Sequence, residues 1–137
     1  MIIEHLSHTA DEAIKVEGFG LDDLFRNALK GMNNILKKGF CDTVKRFDCQ
    51  MQIEVESTSK TCLLIDFLSE ILTLSYVQKA IFCGVYFSHF SKNKLVATVY
   101  GTWFDQFEEE IKAITYHEAH IRRTEKGLWE TCIIFDV

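Results

Sequence analysis

Ile81-Phe82-Cys83-Gly84-Val85-Tyr86-Phe87-Ser88-His89-Phe90-Ser91 and Lys94-Leu95-Val96-Ala97-Thr98-Val99-Tyr100-Gly101-Thr102-Trp103-Phe104 are two β-rich runs separated only by Lys92-Asn93. A two-residue polar connection closes a hairpin, so these runs predict adjacent antiparallel strands, with Leu95, Ala97, Val99, Gly101 and Trp103 on one face. Directly upstream, Leu64, Phe67, Leu68, Ile71, Leu72 and Ser75 recur at helical spacing behind the N-capping hydroxyls of Ser57-Thr58-Ser59, which predicts a helix over 60–78. A second helix is expected from Leu21 to Lys38. Leu21, Leu24, Phe25, Ala28, Leu29, Met32, Ile35 and Leu36 form its stripe, and Asp22-Asp23 place negative charge at its N-terminus.

Outward from these elements the remaining segments read as strands. Residues 12–17 alternate before the turn Gly18-Phe19-Gly20, and Phe47, Cys49, Met51, Ile53 and Val55 alternate with Asp48, Gln50, Gln52, Glu54 and Glu56. After an acidic loop over 105–110, three further strands are expected at 111–116, 120–124 and 128–137, the last two joined by Glu125-Lys126-Gly127. Helices among mostly sequence-adjacent strands, without a βαβα alternation, imply α+β: two main helices packed on one face of a largely antiparallel or mixed sheet.

The chain has 137 residues, 47% hydrophobic and 26% charged, which fits one domain over 1–137 and lies far from disordered composition. Apolar runs such as Cys62-Leu63-Leu64-Ile65 stop well short of the ~20 residues that span a bilayer, and the N-terminus lacks the three-part pattern of a secretory signal. No membrane association and a cytoplasmic location are therefore expected. Cys41, Cys49, Cys62, Cys83 and Cys132 lie mostly in apolar patterns and are expected to be reduced. Fifteen Lys and Arg against 20 Asp and Glu leave a net charge of −5, the wrong sign for holding a nucleic-acid backbone.

Glycine-rich phosphate loops, a Gly-x-Ser-x-Gly elbow and Cys-x-x-Cys pairs are all missing, so common nucleotide-binding and hydrolase chemistries lose support. His5-x-x-His8 and His117-x-x-His120 invite a zinc reading, but residues three apart on a strand face opposite ways. A Cys–His nucleophilic pair is a weaker reading still, because cysteines buried on apolar faces are inert until something lowers their pKa. The two chain ends carry the sharper signal. Asp11 opens the first expected strand, and Asp136 lies on the last, opposite the face of Trp129, Ile133, Phe135 and Val137. The α-carboxylate of Val137 stands one residue from Asp136, so if the first and last strands meet, three carboxylates converge and would repel one another unless they held a hard cation, calcium or magnesium; solvated acids at a frayed terminus are the alternative reading of the same spacing. Lys112, His117, His120, Arg122, Arg123 and Lys126 make the C-terminal third locally basic, which reads as a solvated strand face or as contact with an anionic surface.

His8-Thr9-Ala10-Asp11, Leu21-Asp22-Asp23-Leu24-Phe25-Arg26-Asn27-Ala28, Leu63-Leu64-Ile65-Asp66-Phe67-Leu68-Ser69-Glu70-Ile71-Leu72, Lys112-Ala113-Ile114-Thr115-Tyr116-His117 and Ile134-Phe135-Asp136-Val137, in this order, resemble the archease family over essentially the whole chain. The resemblance implies an archease-like fold and an accessory protein, not itself an enzyme. Such a protein activates the GTP-dependent RtcB-type RNA ligase in tRNA splicing and RNA repair, promoting guanylylation of the ligase and repeated turnover. It implies Asp11, Asp136 and Val137 as ligands of a divalent metal ion, Lys112 as a further functional position, and His117 and His8 in support. The ligase would be the direct partner, and RNA would be reached only through it. Glu12, where the family often has an aliphatic residue, and Ser57-Thr58-Ser59-Lys60, in place of a more acidic helix entry, depart from the pattern without touching the implied ligands. A stand-alone metal-dependent hydrolase with His8 or His117 as base, and a general chaperone-like interaction module, are the competing functions.

Overall fold

The computed structural model describes residues 3–7 and 11–137. Their elements run β1 (Ile3–Ser7), β2 (Asp11–Gly18), α1 (Leu21–Leu36), α2 (Phe40–Thr43), β3 (Cys49–Glu56), α3 (Lys60–Gln78), β4 (Ala80–Phe90), β5 (Lys94–Trp103), β6 (Ala113–Thr115), β7 (Arg122–Arg123) and β8 (Trp129–Asp136). The class is α+β, and every strand pairing described is antiparallel. The strands divide between two sheets where sequence alone indicated one. One sheet has the order β1-β2-β8-β6 with β7 also on β8, and the other has the order β3-β5-β4.

Local rules account for the long elements. Ser59 Oγ accepts from Cys62 N at 3.1 Å and starts α3 where the hydroxyl run indicated. Asp23 accepts from Phe19 N at 3.0 Å and closes the turn into α1. Ser91 N donates to Lys94 O at 2.8 Å around Lys92-Asn93, the expected hairpin. The stripes of α1 and α3 meet in a core whose largest fully buried side chains include Phe25, Phe67, Phe82 and Phe135. Within it the Phe25 ring lies 5.5 Å from Phe67 and 4.9 Å from Phe90. The helices touch strands of both sheets, so they act as the shared layer between them.

Two expectations change, on α3 and on the thiols. Helix α3 is long and apolar enough by length and composition to cross a bilayer, because Ser69, Thr73 and Ser75 interrupt its apolar run without lowering its average below that of a span. Leu63, Leu64, Phe67, Leu68 and Ile71 are buried in the core, which accounts for that character. Trp103 continues the alternation of β5 but is 61% exposed, since the strand runs past the edge of the core.

Finally, Cys41 and Cys83 are joined in a disulfide across 42 residues, against the expectation of reduced thiols. A register shift between Phe82 and Gly84 takes Cys83 out of the core alternation of β4 and turns it toward Cys41 on α2. Cys49, Cys62 and Cys132 are free thiols. Closing a loop of this length restricts the unfolded chain, so reduction is expected to lower stability by about 2–4 kcal/mol. Urea unfolding with and without dithiothreitol measures this, and coincident curves would show that the bond contributes nothing.

A candidate carboxylate site where three strands meet

On β2, Ile14 and Val16 are buried, and on β8 Ile133 and Phe135 are buried, so the alternate residues Asp11, Lys15, Cys132 and Asp136 share the outer face of the sheet. The β2–β8 register sets Asp11 directly opposite Asp136. Opposite residues of an antiparallel pair have Cβ atoms about 4.5–5.5 Å apart, which brings the two carboxylates into one neighbourhood. On the other flank of β8, Ala113 of β6 is also opposite Asp136, and Lys112 N donates to the Asp136 carbonyl at 2.7 Å. Asp11, Lys112, Asp136 and Val137, four positions singled out by sequence, are thus gathered at one end of β8. Both aspartates are half-buried and Lys112 is exposed.

Lys112 is positioned from below by a residue that sequence reading missed. The Tyr76 hydroxyl, from α3, accepts from Ile111 N at 2.7 Å and donates to Ile111 O at 2.8 Å. Ile111 is 1% exposed, so its backbone has no solvent to turn to. Burial pushes the Tyr76 phenol above its ordinary value. The only signal was an aromatic with a polar tip beside Ser75, at the end of the helical stripe.

His117 does not join this group. Thr115 already pairs with Ile134, two residues from Asp136, and the chain continues away from it. His117 N donates to Thr115 Oγ1 at 2.9 Å, and its exposed ring has Nε2 3.8 Å from Glu118 Oε1. His8 lies outside the described residues. Part of the locally basic strand face is engaged: Arg122 Nε lies 2.8 Å and Lys15 Nζ 3.7 Å from the two oxygens of Glu130, and Arg123 sits over the Trp129 ring at 4.8 Å. Lys15, His120, Arg122, Glu130, Thr131 and Cys132 help to line a cavity of about 180 Å³ on this same face.

Among the described residues no group of three or more His, Cys, Asp and Glu side chains is arranged to hold a metal ion. Among the described residues brought together here, Asp11 and Asp136 supply two side-chain carboxylates, and Val137 follows Asp136 in sequence. Such an all-oxygen set fits a hard divalent cation that keeps other positions for water or phosphate, and it does not fit zinc.

A second contact links two of the quoted motifs. Tyr116 O–H donates to one oxygen of Asp66 on α3, and Ser57 Oγ donates to the other at 2.5 Å. The bond to Asp66, with smaller contributions from burial and the carboxylate's charge, pushes the Tyr116 phenol up from 10.0 to about 12. Because the folded value is the higher one, the stabilisation is fully present below pH 10 and is lost as pH rises toward 12. Tyrosinate absorbance should show a phenol titrating near 12 that moves back toward 10 in Asp66→Asn. An unchanged titration would refute the contact.

The comparisons with known proteins bear on the family and the fold. Residues 3–137 match the model of the Archease protein family (MTH1598/TM1083). The chain is 31% identical to protein archease of Methanosarcina barkeri over 143 residues, covering 98% of this chain and 94% of that one. It is 30% identical to protein archease of Pyrococcus furiosus over 148 residues, covering 98% and 97%. Its fold resembles the solution structure of protein 1598 of Methanobacterium thermoautotrophicum, with a TM-score of 0.78, 23% identity and 98% of each chain covered. It also resembles the crystal structure of a Thermotoga maritima protein described as an archease and possible chaperone, with a TM-score of 0.64, 17% identity and coverage of 100% and 98%. With the family pattern matched across nearly its whole length, the chain belongs to the archease family.

Proposed function

We propose that this chain is a protein cofactor of a GTP-dependent RtcB-type RNA-splicing ligase, and that Asp11, Asp136 and the Val137 carboxylate hold a divalent cation, calcium or magnesium, where the two proteins meet. The observation that carries the reading is the strand register that sets Asp11 opposite Asp136 with the Lys112 backbone bonded to Asp136. Carboxylates left at the end of a sheet repel each other unless a cation or a partner's cationic group lies between them. When bound, the cation supplies positive charge to phosphate oxygens, the requirement of nucleotidyl and phosphoryl transfer. The protein's own part is to fix the acids on a rigid antiparallel strand pair and to present the Lys112 side chain beside them, with His117 further along the same segment. His8 belongs to the motif that ends at Asp11.

The rival in which this chain hydrolyses a substrate by itself needs a base beside the acids, whereas the His117 ring lies against Glu118 at 3.8 Å. The test is multiple-turnover RNA ligation by the cognate ligase, with GTP and a divalent metal, with and without a substoichiometric amount of this protein. Product in excess of ligase is expected only when the protein is present. Equal yields would overturn the reading, and metal-dependent turnover by the isolated protein would replace it with the hydrolase.

A further inference from the structure

The bond between Cys41 and Cys83 is not packed away in the core. Both residues are half-buried, and α2, which carries Cys41, has no buried residue of its own. With Lys30, Asn34, Asp42 and Phe47, the two cysteines help to line an open cavity of about 350 Å³, so a small molecule has room to approach the sulfurs. Besides the disulfide, α2 is fastened by Gly39 N donating to Asn34 Oδ1 at 3.3 Å and by the Phe40 ring 6.0 Å from that of Phe104. A helix held from so few points can lift away without disturbing the core beneath it.

The oxidised bond also sits beside an unmet acceptor. Asn33 is 2% exposed, and its Nδ2 donates to Phe82 O at 3.0 Å and lies 3.8 Å from Cys41 Sγ. Its Oδ1 is buried with no hydrogen-bond partner among the described residues. A buried acceptor without a donor is costly, and a disulfide sulfur has no hydrogen to give, whereas a thiol has one. Reduction would place an S–H beside this amide, so the surroundings favour the dithiol more than a fully satisfied site would.

We infer that Cys41–Cys83 is a thiol–disulfide exchange site for a small thiol of the glutathione class, entered through this cavity, and that reduction there releases α2. The incoming thiolate bonds to one protein sulfur as the S–S bond breaks, and the other sulfur leaves as a thiolate that takes a proton from water. A second thiolate then attacks the incoming sulfur of the mixed disulfide. The protein thereby gains two electrons and becomes a dithiol, and two small thiols are oxidised to their disulfide. Lys30 attracts the attacking and leaving thiolates, and Asp42 opposes them. The site is independent of the ligase reading, since neither aspartate of the carboxylate pair takes part.

Treating the folded, full-length protein with reduced glutathione, followed by alkylation and peptide mapping, tests it. Cys41 and Cys83 should become alkylatable together, without denaturant, at a rate proportional to thiol concentration. Lys30→Met should slow that rate and Asp42→Asn should raise it, each about twofold to threefold and less in high salt, because exposed charges act weakly and are screened. Trypsin should cut the reduced protein faster after Lys45 and Arg46 while cleavage after Lys126 is unchanged, and glutathione disulfide should restore the slower rate. A reduction rate that ignores thiol concentration and rises with urea would overturn the inference, because the bond would then open only after unfolding. So would unchanged cleavage after Lys45 and Arg46 on reduction, or equal reduction rates in the two charge variants.

Discussion

Asp136→Ala is expected to return multiple-turnover ligation to the level of the ligase alone while shifting the melting temperature by no more than about 2 °C. The stability half of this follows from its place: the backbone of Asp136 makes the strand pairings and accepts from Lys112 N, and its half-buried side chain faces away from the core. Substitutions of that kind stay within about 0.5 kcal/mol, and a chain of this size moves about 2–4 °C or slightly more per kcal/mol. The functional half follows from charge, because one of the two facing carboxylates, Asp11 and Asp136, is removed. Asp11→Ala should have the same effect, and the double variant should lose no more than either alone, since the two act as one site. Asp136→Asn keeps the shape and removes the charge, so it should resemble alanine. One residue added after Val137 should weaken calcium or magnesium binding in calorimetric titration without altering any side chain. Full stimulation by both alanine variants would remove the carboxylate site from the mechanism, although the chain could still act on the ligase through another face.

Much of this site was legible before any coordinates because it depends on periodicity. The alternation of Ile133, Phe135 and Val137 decides that Asp136 faces outward, and the alternation after Asp11 does the same for β2. Helix α3 and the β4–β5 hairpin are equally local, fixed by a cap, a stripe and a two-residue turn. What stayed hidden depends on partners distant in sequence. Nothing in β2 or β8 states that they pair, and the division into two sheets is a property of that pairing. The strand β1 went unread because its alternation is brief and runs into a polar stretch. Cys41 and Cys83 have no motif between them, and the bulge that turns Cys83 outward forms only once β4 is paired with β5. The Tyr116–Asp66 bond joins two motifs whose order was plain and whose contact was not.

Gly18→Ala is expected to cost about 3 kcal/mol or more, a large stability loss for the addition of one methyl group. The reason is contact, since no positive φ is recorded at this position. Gly18 ends β2 opposite Trp129, and the first turn of α1 folds directly back over it. A Cβ here would lie 2.3 Å from Leu24 N, 2.7 Å from Leu24 Cα and 2.9 Å from Asp23 C. All three are backbone atoms, so no side chain can rotate away, and relief requires α1 to lift from the sheet. That movement would disturb Leu24 N donating to Gly20 O at 3.0 Å, Asp23 accepting from Phe19 N, and Asn27 donating to Glu17 O at 2.8 Å. It would also open the core beneath Leu24 and Phe25, which are fully buried. Gly39→Ala is the control, because Gly39 has φ +73 with nothing within 4 Å of its added Cβ. It should lose only the conformational preference, about 1 kcal/mol. Urea midpoints for the two variants separate the causes: a large loss at Gly18 with a small one at Gly39 identifies steric approach, whereas similar small losses would mean that α1 does not rest on β2 as closely as described.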